Sequence, residues 1–330
     1  MTKEVRKLQR VGGGTYTVSI PKEWAVEHGM EAGSDVHLYP HADGSLVVRG
    51  SPVDGDALSA TRLDATGLSP PRTVRLLRAA YVTGFERIEV AADPLGDDQR
   101  RAVRRATRTL VGAEAVEEDG DRIVVRDLLD AAEVSVGQSL VGMRSVALSA
   151  HRTAAEAVTG DGVDLPRLRR RRDEVDGSLG VILRYCNRSL ESRAALDRLG
   201  VSRTDLFDYS HVGRELAVVA GNAVRLGELA EWAGSDPAAP DDVAAAAETA
   251  RTVVELATTA AVERCGDRVD EALDRREAVR ARTADLEAAL ADRERPAAAL
   301  RALDHIRRTA AAGERIAGTA LRRSLEPGDD

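Results

Sequence analysis

Apolar residues change their spacing three times along the chain, and each change predicts a different kind of element. Near the start, Tyr16, Val18 and Ile20 alternate with Thr15, Thr17 and Ser19, the period of a strand with one buried face. Pro21 stands where the first turn of a helix needs no N–H, and Gly29 where the chain must leave it. The spacing therefore predicts a short helix over 22–28, with Trp24 directed at a core. A strand over 36–39, a tight turn at Ala42-Asp43-Gly44 and a returning strand over 45–49 complete a β-rich unit over 1–50. Residues 51–71 are rich in Asp, Gly, Ser, Pro and Thr and read as a linker closed by Pro70-Pro71. From Arg72 the period becomes helical, with Val74, Leu77, Ala80 and Tyr81 on one face and Gly84 as the stop. Strands at 88–90 and 123–125 flank a helix over 99–111, which predicts a small helix–strand–helix–strand module over 72–130.

Beyond residue 129 the pattern is almost wholly helical. Ser135 with Gln138 three residues on is a capping box, and Val136, Leu140, Met143, Ala147, Ala150 and Ala154 then step by four and three. The same seam recurs at Leu168, Arg172, Val175, Leu179, Ile182 and Cys186, and again from Val212 to Ala230 and from Val243 to Ala261. Breaks near 159–164, 199–201, 233–241, 265–266 and 295–296 predict six long antiparallel helices, grouped as bundles of three over 135–233 and 241–326. Leu216, Ala220, Arg225, Leu226 and Ala230 match Ile306, Ala310, Arg315, Ile316 and Ala320 at a constant offset, the mark of an internal repeat. The fold class expected is thus multidomain: a β-rich head, an α/β module and an all-α body.

Composition changes this picture in two ways. A lone core of about 50 residues is near the lower limit of stability, so the head should pair with a second copy. The chain carries a net charge of −8, yet its start is basic: Lys3, Arg6, Lys7, Arg10 and Lys22 face only Glu4. Pairing would double that local charge, and local field governs contact with nucleic acid. Lysine occurs only at positions 3, 7 and 22, so the acidic, arginine-dominated surface suggests a high-salt cytoplasm. With aromatics at 3%, the cores must be built from Ala, Val and Leu. No apolar run is long enough to span a membrane, and the start lacks an apolar signal core, so a cytoplasmic protein is expected. Cys186 and Cys265 are isolated and read as apolar filler.

The stretch RKLQRVGGGTYTVSIPKEWA, with GSLVVR downstream, resembles the AbrB/SpoVT swapped-hairpin family. That resemblance implies two chains interleaved into one β-barrel presenting basic loops to DNA. Candidate DNA contacts are Arg6, Lys7, Arg10, Thr15 and Lys22; Gly12-Gly13-Gly14 lacks a following Gly-Lys-Ser/Thr and reads as a backbone bend. Tyr16 alternates inward with Val18 and reads as core. The helical region, through RRDEVDGSLGVILRYC, AGNAVRLGELA and HIRRTAAAGERIAGTAL, resembles the PhoU phosphate-uptake regulators, and the whole layout looks like their archaeal DNA-binding form. In that family, a Glu and an Asp four residues apart bridge iron or similar cations. Here Arg172 takes the first place and only Asp176 fits the second, while Ala217, Val218, Gly221, Arg307 and Ala311 replace further expected groups. Arg308 and Glu228 match, but too few oxygens remain, so no metal and no cofactor are expected. The run Arg169 to Arg172 is followed by Asp173, Glu174 and Asp176 and reads as a self-paired helix surface; His151, His211 and His305, one per helix, read as surface or satisfied core residues.

No nucleophile elbow or paired-acid motif points to an enzyme. The reading is a dimeric DNA-binding regulator of phosphate uptake whose body senses state through the transporter's ATPase or a signalling protein. The alternative is a PhoU-like adaptor acting on the transporter by protein contact with little DNA binding. An antitoxin-like role fits the head but not the long body.

Overall fold

A computed structural model describes residues 5–12, 14–40, 46–50, 58–130, 134–158, 162–191, 199–233, 240–290 and 297–325. The chain divides into two compact units, Met1–Ala57 and Leu58–Asp330. The first holds β1 (Gln9–Val11), β2 (Thr15–Thr17), α1 (Lys22–Glu27), β3 (His37–Pro40) and β4 (Leu46–Arg49), with β1 and β2 paired antiparallel and β3 and β4 likewise. The turn expected at Ala42-Asp43-Gly44 lies outside the described residues.

The second unit opens with a two-layer α/β module: β5 (Ala60–Asp64), α2 (Pro70–Thr83), β6 (Arg87–Ala91), α3 (Asp97–Thr107), β7 (Ala113–Glu118) and β8 (Arg122–Asp127). The sheet order is β5-β6-β8-β7; β5 and β6 run parallel and the other pairs antiparallel. The linker expectation over 51–71 is corrected here, because residues 60–64 form an edge strand and the helix after it begins at Pro70. Thr61 and Leu63 are half-buried under the helical layer, and Gln99 on α3 donates to the carbonyls of Ala65 (2.8 Å) and Leu68 (2.9 Å), tying the following loop down. The module thus has four strands rather than two. Leu77, Tyr81, Ile88, Val90, Val103, Ile123 and Val125 form its core.

Among the described residues six long helices follow: α4 (Val136–Val158), α5 (Leu165–Glu191), α6 (Arg203–Ala233), α7 (Pro240–Glu263), α8 (Asp267–Leu290) and α9 (Ala297–Ser324). Ser135 accepts the Gln138 N–H at 3.3 Å, the start that the capping box predicts. The seam residues of α4, α6 and α7 are all buried. The two sets of three helices are not separate bundles with separate cores. Leu140, Ile182 and Leu216 from the first share one cluster with Val254, Ala272 and Ile316 from the second. Cross-links hold this shared interface: Arg144 donates to Thr259, and Arg315 forms a two-bond fork on Glu215 at 2.7 and 2.8 Å.

One buried cation joins the module to the helical body. Arg184 on α5 is fully buried, donates Nε to Asp127 Oδ2 at 3.0 Å and Nη1 to the Tyr81 carbonyl at 2.7 Å, and lies 5.0 Å from the Tyr81 ring centre. Nη2 sits 2.7 Å from the same Asp127 oxygen as an ionic contact. At the far end of the body, Arg323 of α9, buried, meets Asp205 at 2.7 Å and Asp208 at 3.7 Å, both on α6. Among the described residues no helix is long and apolar enough to cross a membrane.

Candidate nucleic-acid interface

In the N-terminal unit, β1 and β2 form a hairpin in which Arg10 lies opposite Tyr16, and Val11 opposite Thr15. Directly opposed residues share a face, and successive residues alternate, so the two candidate contacts Arg10 and Thr15 lie on opposite faces of the ribbon. Gly12, at φ +67°, opens the turn between these strands, a conformation that a Cβ disfavours. The glycine run therefore bends the backbone, and Gly13 itself lies outside the described residues. Arg6 and Lys7 precede β1 in exposed, irregular chain. Lys22 is the first residue of α1, directly after Pro21. A cation there opposes the helix dipole, so Lys22 adds nothing to the helix it begins. All five candidates, Arg6, Lys7, Arg10, Thr15 and Lys22, are exposed. They come from the chain before β1, both strands of the hairpin and the start of α1, and do not form one cluster on one face.

Apolar residues in this unit are exposed as well. Tyr16 is 66% exposed, and Val5, Leu8, Val11, Val18, Ile20, Val26, Leu38 and Leu46 are all open to solvent. Among the described residues of the unit, Met30 is the one buried apolar side chain, packed where a Cβ on Gly50 would come within 2.7 Å of its Cγ. The readings of Tyr16 as core and of Trp24 as a plug are thus not met within one chain; Trp24 instead stacks on His28, with ring centres 4.5 Å apart. Residues alternate as in a half-buried strand, but among the described residues of the unit nothing covers them. Exposed large apolar residues in this number point to an interaction surface.

Residues 9–56 match the family model described as "Antidote-toxin recognition MazE, bacterial antitoxin". The match makes the head MazE-like, in keeping with the swapped-hairpin resemblance. It covers Arg10, Thr15 and Lys22 and leaves Arg6 and Lys7 ahead of it. No curated protein and no solved structure matches the chain.

The cation site that a PhoU resemblance implies does not fit the body. Arg172 sits 3.6 Å from Asp176, so the place of the first carboxylate holds the counter-ion of the second. Burial raises the Asp176 pKa, and the Arg172 charge works against that rise. Glu228, the other matching acid, is taken up by Arg169 at 3.2 Å and Arg225 at 2.9 Å. Arg307 is turned to Thr283 and Glu287, and Arg308 to Asp304. Guanidinium groups therefore occupy the carboxylates a cation would need.

Proposed function

We propose that the protein is a DNA-binding regulator that works as a pair of chains through its MazE-like head. One observation carries the reading: an apolar head surface left uncovered among the described residues of its unit accompanies a net-basic start in an otherwise acidic protein. A second copy would cover the apolar face and bring two sets of Arg6, Lys7, Arg10 and Lys22 together, which multiplies the field acting on phosphates. The PhoU-like patterning of the body supports control of phosphate uptake, with the body reading cell state through a partner such as the transporter's ATPase. No catalytic role is assigned to it.

Replacing Arg6, Lys7 and Arg10 together by Ala is expected to weaken binding to all duplex sequences alike and to lower the slope of log affinity against log salt by about 3 for each chain of the pair, at ~0.9 per lost phosphate contact. Unchanged affinity and slope would remove the head from DNA binding. In cells, crosslinked DNA enriched upstream of phosphate-transport genes is the expected result; transporter co-purification without such DNA would establish the adaptor reading instead. The description of the matched family favours one further reading, a toxin partner for the head. Stoichiometric co-purification of a small protein that the isolated chain neutralises would decide for it.

A further inference from the structure

Charge is sorted by layer in the α/β module. On the open face of the sheet three arginines have an acid partner: Arg62 meets Glu89 at 3.0 Å, Arg87 meets Glu117 at 3.1 Å, and Arg122 meets Asp119 at 2.9 Å. Arg100 and Arg104 of α3 reach Glu118 at 3.4 and 2.6 Å. The outer side of the helical layer differs. There α2 presents Arg75 and Arg78, and α3 presents Arg101 and Arg105, along an open groove of about 670 Å³ floored by Val74, Ala102 and Ala106. Arg78 reaches the Thr109 hydroxyl at 3.5 Å and lies near enough to Asp176 for its charge to lower that carboxyl's pKa, and Arg101 pairs with Asp98 of its own helix, an exposed pair. Among the described residues, Arg75 and Arg105 have neither a hydrogen bond nor a carboxylate within reach. The groove also meets Asp173 of α5.

A shortage of acids does not explain this, since the chain has 55 acidic against 47 basic residues. Repulsion along the two rows is tolerated where an external anion relieves it. Arg75 and Arg78 are three residues apart and Arg101 and Arg105 four, so along each helix the cations repeat every ~5–6 Å. Cations in two rows on either side of an open channel suit a chain of regularly spaced charges. A small ligand would need enclosure on most of its surface, which an open channel does not provide. An acidic helix would need large apolar anchors, and the floor offers one valine and two alanines. Guanidinium forks match phosphate oxygens in pairs.

We infer that the groove between α2 and α3 is a second phosphodiester-binding surface, contacting the DNA backbone through Arg75, Arg78, Arg101 and Arg105. This deepens the DNA-binding reading and rests on it. The test uses the full chain and a random-sequence duplex, with affinity measured across a salt series. The double variant Arg75→Ala with Arg105→Ala is compared with Arg275→Ala plus Arg280→Ala on α8, where each arginine already pairs with a glutamate. All four side chains are exposed, so both variants should keep the wild-type melting temperature. The groove variant is expected to flatten the salt slope by about 2 for each chain of the pair, again at ~0.9 per contact, and the α8 variant to leave it unchanged. If wild type binds DNA and the groove variant shows the wild-type slope, the groove is overturned and the head reading stands. An equal loss in both variants reduces the effect to net charge and also overturns it. If wild type does not bind DNA at all, both readings fall together.

Discussion

His151 sits fully buried on α4 beside Ala147, Ala150 and Ala154, and neither ring nitrogen has a hydrogen-bond partner among the described residues. The reading of this histidine as a surface or satisfied core residue therefore fails. Helices α4 and α7 run antiparallel with Arg144 against Thr259, so two turns further on His151 falls level with Arg251. Arg251 is buried too, with Nε and Nη1 unpartnered and Nη2 held by Glu248 of its own helix. Burial first, then the charges of Arg251 and His305, push the His151 pKa down to about 3. The folded state thus keeps the ring neutral, while the unfolded chain protonates it below its ordinary value of about 6.5. Stability from this residue is whole above that value and drains away as pH falls towards 3, at about 1.4 kcal/mol per pH unit. His151→Leu removes the titration without costing a hydrogen bond. Urea unfolding at pH 7 and pH 5 should show a smaller loss on acidification in the variant than in wild type. Equal losses would mean that the native ring takes up the proton readily.

At the scale of elements, close helix packing follows from the scarcity of aromatics. Small residues let α7 and α9 approach until a Cβ on Gly313 would lie 2.7 Å from Val253 Cγ1 and 3.0 Å from the Val254 nitrogen. Backbone cannot yield there as a side-chain tip can, so Gly313→Ala should cost about 1–3 kcal/mol. Gly318, five residues on in the same helix, meets nothing within 4 Å. Gly318→Ala should gain about 0.5–1 kcal/mol from helix propensity alone. Thermal melts of the two variants must move in opposite directions, and a shared direction would refute close contact at Gly313. The helices themselves were legible in the sequence, because seams such as Val136 to Ala154 repeat over many turns and the start at Ser135 is marked chemically. Strands with an apolar face, such as those at 88–90 and 123–125, were legible as well, but the two outer strands of that sheet were not. Ala60–Asp64 is polar, half-exposed and embedded among turn-forming residues, and Ala113–Glu118 holds three glutamates among two alanines and a valine; each becomes a strand only by pairing with a neighbour. The arginines of α2 and α3 were visible as residues, but their alignment across one groove depends on how the two helices pack. Likewise, the place of Arg10 and Thr15 on opposite faces depends on the hairpin register, which a glycine turn alone does not reveal.

For the whole molecule, the two units differ in how they are stabilised. The helical body and its module hold extensive cores, a buried Arg184–Asp127 link and an Arg323–Asp205–Asp208 clasp within one chain. The head holds Met30 and an open apolar surface. A unit stabilised by pairing melts at a temperature that depends on concentration, because dilution draws the equilibrium towards separated chains. A unit with its own core does not. The protein carries a built-in reporter for each: of its two tryptophans, Trp24 lies in α1 of the head and Trp232 near the end of α6, 5.7 Å from the Arg301 guanidinium. In a Trp232→Phe variant, the Trp24 fluorescence transition should move to higher temperature as protein concentration rises. In a Trp24→Phe variant, the Trp232 transition should stay fixed over the same range. A Trp24 transition independent of concentration would show that one chain suffices to hold the head, and the doubled field of cations on which DNA binding depends would lose its physical basis.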